Sequence, residues 1–208
     1  MTMPLWQRTA LEAFGTGFLG FTAGQLGGSE FNGFEQAIVI GLCLALLINL
    51  MGRATGAHFN PAITLLLNGQ RFGRAKLLSR DAFHESCAYI AAQLLGATVG
   101  LGLNPVERMT NDFALNAWLP ELVFSFVLYA VVLRWSREGR ICPVAQPLSG
   151  LVIGSALSVL VILGGLTESG IYNPAMAVAL ATKGMDGSIV AIVGEFLAVG
   201  LLLLFLLD

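Results

Sequence analysis

Two short stretches decide the fold: GAHFNPAIT at residues 56–64 and SGIYNPAM at residues 169–176. Each contains the tripeptide Asn-Pro-Ala, which opens an apolar segment (Phe59–Gly69 or Tyr172–Lys183) about half as long as a membrane crossing requires. Asparagine is a favoured N-cap, and proline suits the first turn of a helix. Asn60-Pro61-Ala62 and Asn173-Pro174-Ala175 are therefore each predicted to begin a half-length helix.

The rest of the chain has the composition of a membrane protein. Of the 208 residues, 56% are hydrophobic and 12% are charged, whereas soluble domains carry about a quarter charged residues. Six further segments contain the roughly 20 mostly apolar residues of a membrane-spanning helix. They are Leu5–Gln25, Glu35–Arg53, Ala82–Leu103, Ala117–Trp135, Gln146–Leu166 and Gly187–Leu207. We expect Leu5–Gln25 to be retained as the first span, because Arg8 and Glu12 interrupt the clean apolar middle of a cleaved signal peptide.

The order of these segments indicates an internal repeat. Both halves, about residues 1–103 and 117–208, run helix, helix, half-helix, helix, so we expect one transmembrane domain over residues 1–208. Three spans per repeat invert the second repeat relative to the first, and the two half-helices then meet near the midplane. A helix that begins in mid-membrane is tolerated only where its end is buried in protein or lines a watery cavity. The pattern therefore predicts a pore.

Charge and cysteine content exclude several function classes. The formal net charge is -2 and the basic residues are scattered, so a nucleic-acid partner is not expected. Cys43, Cys87 and Cys142 lie far apart without metal-ligand spacing. No nucleophile, paired-carboxylate or phosphate-loop pattern is present, so we predict neither an enzyme nor a metal or cofactor. Basic residues cluster around the first half-helix and after the fourth span, which predicts cytoplasmic loops there and both termini inside the cell.

The two motifs, together with YIAAQLLG at residues 89–96, resemble the aquaporin and glycerol-facilitator channels over essentially the whole chain. The resemblance implies an all-α fold of six tilted transmembrane helices and two re-entrant half-helices, assembled as a homotetramer in the lipid bilayer with one pore per subunit. It implies that Asn60 and Asn173 donate hydrogen bonds to a passing solute. It also implies a polar stripe of backbone carbonyls, from Gly56, Ala57, His58, Ser169, Gly170 and Ile171.

The selectivity filter implied by the resemblance departs from the usual pattern. Most family members carry arginine directly after the second Asn-Pro-Ala, where this chain has Met176. Counting from the two asparagines places the other filter positions at Ile40, Val161 and Gly170. A ring without a side-chain donor favours solutes larger and less polar than water. It resembles that of arginine-lacking bacterial aquaglyceroporin-like channels found beside arsenic-resistance functions, which suggests a bacterial plasma membrane as the location.

Several titratable residues remain to be assigned. The resemblance implies that Glu12 and Glu121 support the half-helices by accepting hydrogen bonds from loop N–H groups, and that His58 belongs to the same support. Glu195 is interpreted either as a partner of Gln93 or as a protonated acid. Glu168 is either a solvated loop acid or an attractor of cations at the outer mouth.

Three function classes remain open. We expect a passive channel for small uncharged solutes, such as glycerol-like polyols, neutral metalloid acids, methylated arsenicals or water. An alternating-access transporter also uses inverted repeats and broken helices, but it needs intramembrane charges or a coupling-ion site. A structural family member with a pore blocked by Met176 or Tyr172 is the third class.

Overall fold

The computed structural model describes residues 3–73, 76–104, 117–137, 140–141, 146–167, 170–185 and 187–205. Within these ranges the chain forms six long helices, one helix of 12 residues and one of 8 residues. The helices are α1 (Leu5–Gly27), α2 (Gly33–Thr55), α3 (Pro61–Phe72), α4 (Arg80–Gly102), α5 (Trp118–Trp135), α6 (Gln146–Gly165), α7 (Pro174–Ala181) and α8 (Ser188–Phe205). Two strands of two residues, β1 (Ser136–Arg137) and β2 (Arg140–Ile141), pair antiparallel between α5 and α6. The predicted all-α architecture of six long and two half-length helices is confirmed.

Length and composition identify the helices that can cross a bilayer. Among the described helices, α2, α5, α6 and α8 are long and apolar enough to do so. Helices α1 and α4 each have 23 residues, which spans about 35 Å at 1.5 Å per residue. Both contain charged residues, including Arg8 in α1 and Glu85 in α4. Large apolar side chains such as Phe14, Leu42 and Leu95 are exposed on the outer surface, as expected where lipid is the solvent.

The two short helices begin where the tripeptides predict. Asn60 is the N-cap of α3, and its side chain accepts hydrogen bonds from the backbone N–H groups of Ala62 and Ile63. Asn173 is the N-cap of α7 and accepts from Ala175. In both helices the proline occupies the first turn, where its missing N–H leaves no helical bond unmade.

Helix packing follows the same pattern twice. Helix α1 packs on α4 just as α5 packs on α8, and α2 packs on α6 between these pairs. The short helix α3 contacts α4 and α8, and α7 contacts the same two helices. Each half-length helix thus lies against the last long helix of both halves. This arrangement brings the N-termini of α3 and α7 to the centre of the bundle.

Glycine allows α1 and α4 to approach at backbone distance. A Cβ atom added at Gly100 would overlap the carbonyl oxygen of Gly17, and one at Gly96 would overlap that of Ala13. Small residues at this spacing permit such close helix contacts in membranes. Gly102, in the same helix, has no atom within 4 Å of an added Cβ, so it takes no part in this contact.

Candidate pore

The two N-cap asparagines each bind the loop that precedes the other half-helix. The Nδ2 atom of Asn60 donates to the carbonyl oxygen of Tyr172 at 2.7 Å, and that of Asn173 donates to the carbonyl oxygen of Phe59 at 2.9 Å. Because each Oδ1 already caps a helix, both ends of each amide are used. An amide group has two N–H donors. The Asn60 amide also contacts the Tyr129 hydroxyl, whereas the second donor of Asn173 has no partner among the described residues.

The two loops reach this crossing through a left-handed backbone at non-glycine residues. Phe59 has φ 49° and Tyr172 has φ 51°, and each directly precedes its N-cap asparagine. Such conformations cost about 1–3 kcal/mol each and persist only where surrounding contacts hold them. They are the same position in the two repeats, and they turn the carbonyl groups toward the opposite asparagine.

Glu12 holds the first loop. Its Oε1 atom accepts from the Thr55 hydroxyl at 2.7 Å and from the His58 N–H at 3.0 Å. Its Oε2 atom accepts from the Phe59 N–H at 2.7 Å and from the Gln93 side chain at 2.8 Å. Glu12 is fully buried, and four donors compensate its carboxylate for the lost solvent. One turn further along α1, Gly15 leaves the space that the Phe59 ring occupies.

Glu121 holds the second loop in the same way. One carboxylate oxygen accepts from Gly170 at 2.9 Å and from Ile171 at 3.4 Å, and the other accepts from the Tyr172 N–H. Gly170 itself has φ 126°, a conformation that favours glycine. The two acids bind the left-handed residues Phe59 and Tyr172 directly, so they stabilise the strained part of each loop.

A cavity of about 220 Å³ runs past the crossing of the two loops. All four counted filter positions, Ile40, Val161, Gly170 and Met176, line this one cavity. Other lining residues are Leu19, Ala23, Leu26, Gln36, Leu44, Ile63, Leu128, Val132, Ile153, Leu157 and Leu180. The wall is therefore mostly apolar, with polar groups confined to the two loops and Gln36.

The loop residues expected to supply carbonyl groups lie in different places. His58, Gly170 and Ile171 line the cavity together with Phe59, Asn60, Tyr172 and Asn173. Gly56 and Ala57 are buried outside its lining. Ser169 and Glu168 lie outside the described residues, as does Cys142.

Tyr172 is packed away from the open part of the cavity. It is 1% exposed, and its hydroxyl donates to the carbonyl oxygen of Leu160 at 2.8 Å. Its ring meets Phe124 edge-on. The side chain is thereby fixed against α5 and α6, and it does not plug the cavity.

Two further polar side chains belong to this centre, Tyr129 outside the quoted sequence motifs and Thr64 at the end of GAHFNPAIT. The Tyr129 hydroxyl donates to the Tyr172 carbonyl at 3.1 Å, next to the bond from Asn60. The Thr64 hydroxyl lies 3.2 Å from His58 Nδ1 and 3.3 Å from Gln93 Oε1. The sequence signal that could have identified both residues is a polar side chain within an apolar helix.

Gln93 and Glu195 occupy corresponding places in α4 and α8 but do not pair. The Gln93 side chain donates to Glu12 and to Thr64, within its own half. Glu195 is fully buried in α8. The alternative in which these two residues bind each other is therefore wrong.

A charged cluster joins α1, α3 and α4 away from the crossing. Arg8 and Arg71 both donate to Glu85 Oε1, at 2.8 Å and 2.9 Å. Arg8 also lies over the Tyr89 ring, whose hydroxyl donates to the Thr55 carbonyl at the end of α2. Among the residues described by the structure, no three His, Cys, Asp or Glu side chains come together as a metal site.

Comparisons with known proteins agree with this architecture. Residues 2–205 match the family described as Major intrinsic protein. Nodulin-26 of Glycine max is 30% identical over 197 residues, covering 87% of this chain and 69% of that protein. Aquaporin NIP1-1 of Zea mays is 27% identical over 199 residues, covering 87% and 66% respectively. Aquaglyceroporin AqpS of Rhizobium meliloti (strain 1021) is 30% identical over 152 residues, covering 65% and 62%.

The chain spans about two thirds of the length of these relatives. The match nevertheless runs through all eight helices, including both half-helices and the two loops that cross before them. Apolar helices and an apolar outer surface agree with a location in the bilayer. The chain therefore belongs to the major intrinsic protein family of aquaporins, whose members are integral membrane channels for small solutes and not enzymes.

Proposed function

We propose that this chain is a passive channel for small uncharged solutes wider than water, with Ile40, Val161, Gly170 and Met176 as its selectivity filter. The observation that carries the proposal is that these four positions line one cavity beside the crossing asparagines. Three of the side chains are aliphatic or thioether groups, and the fourth position has no side chain. The ring offers a solute no side-chain hydrogen-bond donor. A very polar solute that loses its hydration water there therefore gains no side-chain hydrogen bonds from the ring in exchange.

The polar contacts of the proposed pore come from the two loops. Asn60 and Asn173 both line the cavity, and Asn173 has one amide donor without a partner among the described residues. A solute with hydroxyl or amide groups is able to accept hydrogen bonds from these amides while its carbon skeleton contacts the apolar wall. This combination fits glycerol-sized polyols, urea and undissociated metalloid acids. One relative bears the name aquaglyceroporin, which agrees with that class.

Exclusion of cations is proposed to rest on the helix ends. Helices α3 and α7 both begin at the crossing, and each N-terminus carries about half a positive elementary charge. Two such ends disfavour a cation at the same point. With methionine at position 176 in place of arginine, these dipoles supply the barrier there.

The features of an ion-coupled carrier are not found at the crossing. Glu12 and Glu121 are bound to loop backbone groups, and neither lines the cavity. Among the described residues of the cavity wall there is no Asp, Glu, Lys or Arg, and His58 is the one histidine. These observations favour a channel over an alternating-access transporter.

Assembly and orientation form part of the same proposal. We infer a homotetramer with one pore per chain, because the exposed apolar faces of the helices leave wide surfaces for neighbouring copies or lipid. Both termini are proposed to face the cytoplasm, since Arg53, Arg71 and Lys76 flank the first half-helix.

The test is a stopped-flow panel on proteoliposomes that contain the purified chain. Water, glycerol, urea and neutral metalloid acids are compared at several gradients and temperatures. The proposal predicts glycerol and urea flux that rises linearly with the gradient and has a low activation energy. Saturable or ion-dependent flux would favour the transporter, and the absence of any solute flux would favour a blocked pore.

A further inference from the structure

A buried acid in α8 is short of hydrogen-bond donors. Both carboxylate oxygens of Glu195 are inaccessible to solvent, and neither makes a hydrogen bond of ordinary length and angle to a residue that the structure describes; the nearest backbone donor is the Asn173 N–H. An isolated ionised carboxylate in such a place is very costly, and more so inside a membrane. Glu195 therefore needs either a donor or a proton of its own.

The neighbour of Glu195 is another acid. Helix α8 lies against α5 at this level, where a Cβ atom added at Gly194 would lie 3.3 Å from the Cβ of Glu121 and 2.5 Å from the Trp118 carbonyl oxygen. The Glu195 carboxyl faces that of Glu121 within hydrogen-bonding reach. Two carboxylates are both acceptors and form no bond with each other, whereas one proton between them supplies a donor.

Among the residues that the structure describes, no positively charged group faces the pair. From α5, the groups that face Glu195 are Glu121 and the Tyr129 hydroxyl, and from the second loop it is the Asn173 N–H. Helix α7 contains no titratable side chain. The one charged residue of α3 is Arg71, which pairs with Glu85.

The two repeats show what Glu195 replaces. In the first half, Gln93 of α4 donates its amide N–H to Glu12 Oε2 at 2.8 Å. Glu195 of α8 is the counterpart of Gln93, and Glu121 is the counterpart of Glu12. A carboxylic acid O–H and an amide N–H are the two side-chain donors of this size, so a protonated Glu195 is able to give Glu121 the bond that Gln93 gives Glu12.

The two acids differ in their bonding. Glu121 accepts from three backbone N–H groups, which stabilises its charged form, whereas Glu195 faces a single backbone N–H, that of Asn173. We propose that Glu195 holds a proton and donates it in a hydrogen bond to Glu121, and is thereby a positioning residue for the loop Gly170–Tyr172. It acts through Glu121 and does not touch the solute. If Glu195 loses this donor, Glu121 makes one hydrogen bond fewer. Glu121 then holds the Gly170 N–H, and with it the proposed filter position, less firmly.

Infrared spectroscopy of the full chain in lipid at neutral pH tests the proton directly. The wild type is expected to show the carbonyl stretching band of a protonated carboxylic acid, shifted in D2O. Glu195→Gln is expected to remove it, and the exposed-loop variant Glu30→Gln to leave it unchanged. A matched variant, Gln93→Glu, builds the same acid pair in the first half and is expected to add a second band. The proposal is overturned if Glu195→Gln leaves the spectrum unchanged, or if the acid introduced by Gln93→Glu is ionised.

Solute flux tests the positioning role and rests on the proposed channel function. Glu195→Leu, which has no donor, is expected to lower glycerol flux several-fold, and Glu195→Gln, which keeps one, is expected to restore it. Equal flux in wild type and Glu195→Leu overturns the positioning role. If Glu195→Leu does not fold, a several-fold loss of flux in folded Glu195→Gln overturns it instead. Because the infrared bands do not depend on conduction, their outcome is separate from that of the channel proposal.

Discussion

The carbonyl oxygen of Tyr172 accepts two hydrogen bonds, one from Asn60 at 2.7 Å and one from the Tyr129 hydroxyl at 3.1 Å. The first bond crosses from one repeat to the other, and the second comes from the same repeat as Tyr172. The equivalent carbonyl of Phe59 accepts from Asn173. The Tyr129 hydroxyl thus holds the second loop, and no equivalent donor to the Phe59 carbonyl is described in the first loop. The two halves of the chain therefore differ at the centre.

This arrangement predicts that Asn60 and Tyr129 are energetically coupled. Either Asn60→Ala or Tyr129→Phe removes one of these two hydrogen bonds to the Tyr172 carbonyl, and the double variant removes both. A buried hydrogen bond contributes about 0.5–1.5 kcal/mol, and its loss costs more when the second donor is absent too. The double variant is therefore expected to lose about 1–2 kcal/mol more unfolding free energy than the two single variants together. Asn60→Ala also removes the N-cap of α3. This cost is present in both the single Asn60 variant and the double variant, so it cancels in the double-mutant cycle.

The measurement is equilibrium unfolding of the four proteins in detergent. Strict additivity would mean that water or another group replaces the lost donors, and the asymmetry between the loops would then carry no energetic weight.

Glycine contacts in α4 give a second prediction with a control in the same helix. Gly100→Ala is expected to destabilise the protein by about 1–3 kcal/mol, because its methyl group would overlap the Gly17 carbonyl. Gly102→Ala meets no atom within 4 Å and is expected to change stability by less than about 1 kcal/mol. Thermal unfolding in detergent measures both. Equal effects of the two changes would contradict the close packing of α1 on α4.

The support of the first loop predicts a large effect of Glu12. Glu12→Leu removes the acceptor of the His58 and Phe59 N–H groups, which are buried. The expected loss exceeds about 2 kcal/mol, since each unsatisfied buried N–H costs about 1–3 kcal/mol. The control is Glu30→Leu in an exposed loop, expected to stay within about 0.5 kcal/mol of wild type. A loss from Glu12→Leu no larger than that of the control would show that other groups hold the loop.

Mercurial reagents test which side chains face the pore. No cysteine is among the cavity-lining residues that the structure describes, and of the two cysteines it places, Cys43 is buried and Cys87 is exposed. Weak block of the wild type is therefore expected. Val161→Cys places a thiol on the cavity wall and is expected to make glycerol flux sensitive to mercurials, with reversal by added thiol. Strong block of the wild type would contradict the assignment, and the Cys43→Ala variant would then identify the residue responsible.

Local sequence chemistry was sufficient for the helices and for their starting points. Asparagine and proline determine a helix start within three residues, so α3 and α7 begin at Pro61 and Pro174 as predicted. The family resemblance supplied the four filter positions, which are counted without gaps from Asn60 and Asn173, and all four line one cavity. Ile40 lies in α2, which ends five positions before Asn60, and Val161 lies in α6, which ends five positions before Gly170, so each count crosses only a short segment outside a helix.

Other features required the three-dimensional arrangement. The left-handed backbone at Phe59 and Tyr172 opposes the preference of aromatic residues, and contacts with Glu12 and Glu121 more than 40 positions away hold it. The cluster of Arg8 with Glu85 joins residues 77 positions apart. The neighbouring sequence does not distinguish Gly100, which packs against Gly17 of α1, from Gly102, which has space for a side chain.

The filter assignment is tested most directly by the ratio of glycerol to water permeability in wild type and Met176→Arg, both measured by stopped flow in proteoliposomes. Arginine would place a rigid, charged guanidinium on the cavity wall where the flexible methionine now lies. Met176→Leu, which keeps an apolar side chain of similar volume, is the control. The account predicts that Met176→Arg lowers glycerol permeability several-fold, lowers water permeability less, and so reduces the ratio, whereas Met176→Leu leaves it near the wild-type value. An unchanged ratio in folded Met176→Arg protein would contradict the filter assignment, because Met176 would then lie outside the constriction.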